Sequence, residues 1–165
     1  MPTTFAVRII QVHVARREHS SGVWRFLTLR RSPEETVFPN IWQVVTGSIE
    51  DGETPQQTAF RELQEESGLM AESLWVLPFV GNYFDTTRNI MNFVPCFGAI
   101  VEENAEVILS HEHSDYAWLT KEELQSRLVI PSHKEACEHF YHSILLPIEQ
   151  GETPVFVSVL NDATK

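Results

Sequence analysis

The stretch from residue 47 to residue 69, GSIEDGETPQQTAFRELQEESGL, constrains this chain more than any other part of it. It contains, in order, a loop, a helix start, a run of acidic residues and a glycine that can end a helix. Its fixed positions are Gly47, Glu53, Arg61, Glu62, Glu65, Glu66 and Gly68. At ordinary residue usage these letters would coincide by chance about once in 10⁹ starting positions. We therefore expect this stretch to have a specific function.

A helix in this stretch is predicted from the residues at its two ends. Thr54 suits the N-cap, Pro55 suits the first helical position, and Gln57 has capping-box spacing from Thr54. Gly68 can adopt the left-handed conformation that ends a helix. We therefore expect a helix from Pro55 to about Ser67.

Three acids lie on one side of the predicted helix. With 3.6 residues per turn, Glu62, Glu65 and Glu66 fall within an arc of about 100°, beside an apolar arc that can pack on a sheet. Carboxylates this close repel one another unless cations lie between them. Such clusters suit hard divalent ions that also bind phosphate oxygens, namely Mg²⁺ or Mn²⁺. The alternative is an acidic face that is merely solvated, and the rest of the pattern disfavours it.

Composition and charge narrow the class of protein. The 165 residues are 42% hydrophobic and 21% charged, which is ordinary for a globular protein, so residues 1–165 are predicted to form a single domain. The net charge of −11 disfavours nucleic-acid and membrane-surface binders, which are usually basic. Neither a signal peptide nor a membrane-spanning run is recognisable. We expect a cytoplasmic protein in which Cys96 and Cys137 are reduced.

The rest of the chain predicts strands on both sides of the central helix. The strand candidates are Phe5–Ala15, Val23–Arg30, Ile41–Thr46, Leu74–Asp85, Asn89–Val101 and Asp115–Leu119. Thr120 and Glu123 have capping-box spacing, which predicts a further helix. Ser132 and Glu135 repeat this spacing ahead of a helix that Pro147 is expected to end.

The last part of the chain is the least defined by its pattern. Residues 148–165 could contain a late strand, over Val155–Leu160, or form an ordered tail. Taken together, the order of elements predicts an α/β fold in which helices cover both faces of a mixed β-sheet.

The fixed pattern of residues 47–69 matches the Nudix box position by position, so the chain resembles the Nudix hydrolase family. The resemblance implies an α/β/α sandwich with a loop–helix–loop catalytic motif. It also implies hydrolysis of a nucleoside diphosphate linked to another moiety, with Mg²⁺ or Mn²⁺ required. Catalytic and metal-binding roles are implied for Glu62, Glu65 and Glu66, with the carbonyl of Gly47 as a further metal ligand.

The resemblance assigns supporting roles to other residues of the box. Arg61 is expected to pair with Glu53 and to orient the loop against the helix, which Gly68 ends. From outside the box, Glu112 in SHEHSDYAWL is predicted as a further metal-binding or catalytic acid. The alternative for Glu112 is an exposed loop acid. We interpret its neighbour His113, like His111, as a polar loop histidine.

Residues ahead of the box are candidates for substrate binding. Arg30 and Arg31 end a predicted strand, and arginine suits bidentate contacts with phosphate; we favour Arg31 for this contact. Trp42 could stack on a base or pterin ring, and packing in the core is an equal alternative. Gln43 could offer paired hydrogen bonds to the same ring.

The stretches WQVVTGSIEDGETPQQTAFREL and EHSDYAWL are similar to the bacterial dihydroneopterin triphosphate pyrophosphatases, some of which also act on dATP. This likeness implies a small-molecule substrate that is cleaved to a monophosphate and pyrophosphate. Two alternatives stay open, a dinucleoside polyphosphate or nucleotide-sugar hydrolase and a non-catalytic Nudix-like sensor. The sequence is compatible with a monomer or a homodimer.

Overall fold

The computed structural model describes residues 1–156 and the backbone of residues 158–159. The strands are Thr4–Ala6 (β1), Ile9–Arg17 (β2), Trp24–Arg31 (β3), Trp42–Gln43 (β4), Val45–Ser48 (β5), Ser73–Asp85 (β6), Ile90–Ile100 (β7), His113–Leu119 (β8) and Ser158–Val159 (β9). The helices are Pro55–Ser67 (α1), Lys121–Arg127 (α2), Pro131–Phe140 (α3) and Leu146–Glu149 (α4). A π-helical turn, Tyr141–Leu145, joins α3 to α4.

The described strands form one mixed sheet in the order β4–β3–β2–β7–β6–β9, with β1 beside β7, β5 beside β2 and β8 beside β3. The central pair β2–β7 is parallel, whereas β2–β3 and β6–β7 are antiparallel. Gly47 in β5 lies opposite Ile10 in β2, and His113 in β8 lies opposite Arg31 in β3. This register brings the end of β5 and the loop before β8 to the same end of the sheet.

Helix α1 covers one face of the sheet. Alternate residues of β2 point to this face, as the two-residue period of a strand requires. Ile10, Val12 and Val14 are buried there, in one cluster with Ala59 and Leu63 of α1. The apolar arc predicted for this helix therefore packs on the sheet.

The helices after β8 cover the opposite face. Phe26 of β3 meets Phe140 of α3 edge to face, with ring centroids 6.2 Å apart. Leu124 of α2 and Ile144 of the π-helical turn are buried in the same cluster. Helices thus lie on both faces of a mixed sheet, and the predicted α/β fold class is confirmed.

Two predicted strands are each divided in the structure. Thr4 lies opposite Ile90 and Gln11 lies opposite Cys96, so the first segment carries one residue more than its partner between these pairs. This extra residue interrupts the pairing and separates β1 from β2. The strand predicted just before the box is divided at Val44, because β4 pairs with β3 and β5 pairs with β2.

The C-terminal helical region begins and ends differently from the prediction. The capping box of Ser132 does not form, because Pro131 already begins α3 and Ile130 is its N-cap. Pro147 does not end the helical region, which passes through the π-helical turn and continues to Glu149. Pro147 lies in the first turn of α4, directly after the π-helical turn.

The predicted late strand falls partly within the described residues. Ser158 and Val159 form β9, which pairs with Trp75 and Leu74 of β6, whereas Leu160 lies outside the described part of the chain. Among the helices of the described residues, none has both the length and the apolar character that crossing a membrane requires.

Candidate active site

Helix α1 begins and ends at the predicted residues. The Oγ1 of Thr54 accepts a hydrogen bond from the N–H of Gln57, and the side chain of Gln57 accepts one from the N–H of Thr54. Pro55 is the first helical residue. At the other end Gly68 has a φ of 69° and donates its N–H to the carbonyl of Gln64. These two caps fix where α1 lies along the sheet.

Gly47 of β5 lies close to the side chain of Glu62 in α1. A Cβ atom built there would lie 2.0 Å from the Cδ of Glu62, so any side chain would displace this carboxylate. The close contact explains why residue 47 is a glycine. It also places the Glu62 carboxylate beside the backbone of β5.

Arg61 ties the loop before α1 to the helix. Its Nε and Nη2 donate to the two carboxylate oxygens of Glu53 at 2.7 and 2.9 Å, and Nη2 also donates to the carbonyl of Ser48 at 2.9 Å. Its Nη1 donates to Glu62 at 2.8 Å and to Glu65 at 2.9 Å. The hydrogen bonds from Arg61 lower the pKa of Glu53 to about 2. The expected pairing of Arg61 with Glu53 is therefore present.

Glu66 is the most enclosed of the acids. The residue is 4% exposed, and its Oε2 has no hydrogen-bond partner among the described residues. Burial raises its pKa well above the usual range, and the nearby charges of Glu62 and Glu112 raise it further. A hydrogen bond from the N–H of Thr46 acts in the opposite direction. Burial also raises the pKa of Glu62, against the effect of Arg61.

The acids surround a cleft of about 400 Å³ at the end of the sheet. Its lining residues are Ile9, Arg31, Thr46, Gly47, Ser48, Glu50, Arg61, Glu62, Glu65, Glu66 and Glu112. The structure thus brings every predicted metal ligand to one cleft. Two arginines also reach it, and they are the cations available to a bound anion there.

Arg31 enters the cleft from the end of β3. Its Nε donates to the carbonyl of Val37 at 2.9 Å and its Nη2 donates to Glu35 at 2.8 Å. The guanidinium group is therefore held by the loop between β3 and β4. Arg30 instead donates to the side chain of Asn40 at 3.4 Å and does not line the cleft.

Trp42 and Gln43 lie away from the cleft wall. The guanidinium carbon of Arg127 is 4.7 Å from the centroid of a Trp42 ring, so a cation already covers one face of this side chain. Gln43 is 4% exposed, and its Nε2 lies 3.3 Å from the Nε2 of His113. The structure does not bring these two predicted substrate-binding residues to the cleft.

The interpretation of His113 as a polar loop histidine is wrong. It is the first residue of β8, it is 5% exposed, and its Nε2 lies 3.8 Å from the Oε2 of Glu66. Burial, and to a smaller extent the charge of Arg31, together lower its pKa to about 4. The histidine is therefore neutral near pH 7. Local sequence could not reveal this position, because Gln43 is 70 residues away along the chain.

The donor atoms of the cleft fit a hard divalent cation. They are the carboxylates of Glu62, Glu65, Glu66 and Glu112 and the carbonyl of Gly47. Mg²⁺ and Mn²⁺ prefer oxygen donors of this kind, and the Oε2 of Glu66 is a buried acceptor without a donor among the described residues. Across the described residues, no three His, Cys, Asp or Glu side chains already form a metal-ligand cluster. Arg61 instead binds one oxygen of Glu62 and one of Glu65.

Comparison with known families agrees with this geometry. The model of the NUDIX domain matches residues 4–140, which is most of the chain. This chain belongs to the Nudix family. It is a Nudix hydrolase, and hydrolases of this family act on phosphoanhydride bonds. The family resemblance of the box is therefore confirmed.

Individual relatives of this Nudix hydrolase differ in their named substrates. Nucleoside triphosphatase NudI of Enterobacter sp. (strain 638) is 29% identical over 108 residues, which are 61% of this chain and 77% of the relative. The structure of the E. coli dihydroneopterin triphosphate pyrophosphohydrolase is 24% identical with a TM-score of 0.60, covering 79% of this chain and 93% of that one. A C. elegans Ap4A hydrolase structure is 22% identical with a TM-score of 0.67, covering 82% and 95%. The two structural likenesses establish the fold.

Proposed function

We propose that this Nudix hydrolase cleaves a nucleoside-triphosphate-like substrate, dihydroneopterin triphosphate or a (d)NTP, to the monophosphate and pyrophosphate with Mg²⁺ or Mn²⁺. The observation that carries the proposal is the buried, unpartnered carboxylate oxygen of Glu66 in an acidic cleft that Arg31 also enters. A relative named nucleoside triphosphatase and a fold neighbour named for dihydroneopterin triphosphate support this substrate class.

The charges of the cleft support a role for the cation. A triphosphate is repelled by the five carboxylates that line the cleft, and two arginines do not balance this repulsion. The residues that would hold the cation are Gly47, Glu62, Glu65, Glu66 and Glu112. A bound Mg²⁺ or Mn²⁺ ion supplies positive charge that stabilises the phosphate oxygens during hydrolysis. Arg31 would bind a phosphate group of the substrate, because its fork of donors matches phosphate oxygens.

Hydrolysis also needs a group that accepts a proton. The oxygen of a water molecule forms a bond to phosphorus while the anhydride P–O bond breaks, and the leaving phosphate takes the bonding electron pair. A carboxylate must remove the proton of the water. Burial raises the pKa values of Glu62 and Glu66 in the cleft without a cation, and a bound divalent cation would lower both. Glu112 and the acids of the box both stay candidates for this base.

A substrate panel with product identification tests the proposal. Dihydroneopterin triphosphate, the (d)NTPs, Ap4A and nucleotide sugars would each be incubated with Mg²⁺ and the wild-type enzyme. We expect Glu66→Gln to lower turnover about 100-fold or more, because it removes a catalytic carboxylate. Glu72→Gln is the matched control, since it makes the same change at an exposed residue outside the cleft. Absence of metal-dependent turnover of every substrate would overturn the proposal.

The products distinguish the alternatives within the same chemistry. A dinucleoside polyphosphate hydrolase yields two nucleotides, and a nucleotide-sugar hydrolase yields a nucleotide and a sugar phosphate. A non-catalytic sensor would bind its ligand without hydrolysing it in a sample that contains the metal. The sensor is disfavoured because every acid of the box is present.

We also infer that the protein works in the cytoplasm, where thiols stay reduced. Cys96 and Cys137 are free and buried. Burial raises the pKa of Cys96 to about 11 and that of Cys137 to about 12, so neither forms the reactive thiolate near neutral pH. Fractionation of cells that contain the protein checks its location.

A further inference from the structure

A buried polar contact lies behind the acidic cleft, between β4, β8 and α1. The Nε2 of His113 is 3.3 Å from the Nε2 of Gln43 and 3.8 Å from the Oε2 of Glu66. The exposed fractions of these three residues are all 5% or less. The Oε2 of Glu66 and the Nδ1 of His113 have no partner among the described residues. Unpaired buried polar atoms are costly, so the protonation of this histidine matters.

The tautomer of His113 decides whether its Nε2 can donate a hydrogen bond to Glu66. A proton on Nδ1 would bury an N–H without an acceptor and leave the Glu66 oxygen without a donor. A proton on Nε2 instead faces the Glu66 carboxylate, and Gln43 accepts from the same N–H by turning its amide oxygen toward the ring. The Nδ1 then carries a lone pair without a partner among the described residues, which costs less than an orphaned N–H. In the structure the amide nitrogen of Gln43 faces this ring nitrogen, so the Nε2–H form requires the Gln43 amide to turn.

We propose that Gln43 and His113 form a positioning pair that fixes the carboxylate of Glu66 at the back of the cleft. This proposal rests on the proposed function, in which Glu66 is a metal-binding and catalytic acid. A movement of about 0.6 Å brings the His113 nitrogen within the usual 3.2 Å of a hydrogen bond to Glu66. The N–H of Thr46 acts on the same carboxylate from β5, where it lowers the pKa of Glu66. Two fixed donors would thus set the direction of its free lone pairs.

The surroundings of His113 suit a positioning role rather than a direct one. Its ring does not line the cleft, so it cannot reach a substrate in this arrangement. Its backbone is fixed, because β8 pairs with β3 and the N–H of His113 donates to the carbonyl of Ser110. The residue therefore acts on the reaction only through Glu66.

Two substitutions of His113 separate positioning from packing. His113→Leu fills the site without a donor, whereas His113→Gln places a neutral amide N–H near the position of the imidazole Nε2. We expect His113→Leu to lower kcat about 10–100-fold with little change in KM, because loss of a residue that orients a metal ligand has effects of this size. His113→Gln should restore most of kcat. Gln43→Leu should change kcat in the same direction as His113→Leu.

A direct measurement of metal binding supplies a second readout. Titration with Mn²⁺, followed by electron paramagnetic resonance without substrate, should show weaker binding by about 10–100-fold in His113→Leu and near-normal binding in His113→Gln. In a Glu66→Gln background, His113→Leu should cause no further loss of Mn²⁺ affinity. Such non-additivity is expected only when one residue acts through the other.

The measurements on these variants distinguish a positioning role of Gln43 and His113 from a role in packing. If His113→Leu keeps wild-type kcat and Mn²⁺ affinity and changes only the melting temperature, the pair serves packing and the proposal is overturned. If His113→Leu does not fold, as judged by circular dichroism, Gln43→Leu and His113→Gln provide the same comparison. If the wild type hydrolyses no substrate but binds Mn²⁺ through this pair, only the proposed function fails.

Discussion

Because Gly47 has no side chain, the carboxylate of Glu62 in α1 can lie against the backbone of β5. In Gly47→Ala, the new methyl group would lie 2.0 Å from the Cδ of Glu62, so we expect this carboxylate to leave its position and kcat to fall about tenfold or more. The crowding should also lower the free energy of unfolding by about 1–3 kcal/mol. Ser126→Ala is the control, because Ser126 is exposed and does not line the cleft. Steady-state kinetics and urea denaturation measure both effects, and wild-type turnover in Gly47→Ala would contradict the close contact.

Arg61 stabilises the loop through the shape of its guanidinium group as well as its charge. Arg61→Lys keeps the charge but loses the fork that binds Glu53 and Ser48, and we expect the free energy of unfolding to fall by about 1.5–3 kcal/mol. Arg88→Lys is the matched control, because the Arg88–Asp85 pair is exposed and should contribute less than about 1 kcal/mol. Urea denaturation compares the two variants. Equal losses would show that the fork has no special role.

At the scale of single residues, the sequence predicts the box but not its surroundings. The positions of Glu62 and Glu66 follow from the helical period, which is a local property. The burial of His113 does not, because its contacts with Gln43 and Glu66 exist only after β4, β8 and α1 have met. The cover over Trp42 is also a tertiary contact, made by Arg127.

Helix α1 depends on its N-cap to hold the acids in place. Thr54→Ala should lower the free energy of unfolding by about 1 kcal/mol, since it removes the acceptor for the N–H of Gln57. Thr120→Ala removes the same kind of cap from α2 and should cost a similar amount. Only Thr54→Ala should also weaken Mn²⁺ binding, because α1 carries acids of the cleft and α2 does not. Thermal melts and Mn²⁺ titrations of both variants check this difference.

The ends of the helices show where local rules hold and where they fail. Capping boxes form between Thr54 and Gln57 and between Thr120 and Glu123, as their spacing predicts. At neither helix does a nearby residue favour a different first position. Ser132 has the same spacing, but the proline before it takes the first helical position and moves the start of α3 by two residues. Pro147 permits a helix because a π-helical turn precedes it. The sequence does not show this turn in advance.

The layer between the sheet and α3 contains two buried histidines that make the whole molecule sensitive to acid. Burial lowers the pKa of His13 to about 3, and the nearby His133 adds to this effect. Burial lowers the pKa of His133 to about 4. In the unfolded chain both groups titrate near pH 6.5. Between the folded and the unfolded pKa values, the unfolded chain therefore binds more protons than the folded protein. The free energy of unfolding must therefore fall as the pH drops below about 6.5.

The size of this effect can be measured with one substitution. Between about pH 7.5 and about pH 5, each buried histidine should remove about 2 kcal/mol from the free energy of unfolding. His13→Gln removes one of these groups, so its loss over the same range should be about 2 kcal/mol smaller than that of the wild type. His142→Gln is the control at an exposed position. An unchanged pH dependence in His13→Gln would refute the prediction.

The parallel pairing of β2 with β7 has a consequence for when the cleft can form during synthesis of the chain. Gln11 and Cys96, which face each other in this pair, are 85 residues apart along the chain. The whole box lies inside this span, and closing so long a loop costs entropy before any contact repays it. A chain emerging from the ribosome therefore carries its acids for some time without the sheet that arranges them. We expect the cleft to assemble late, once β7 has been synthesised.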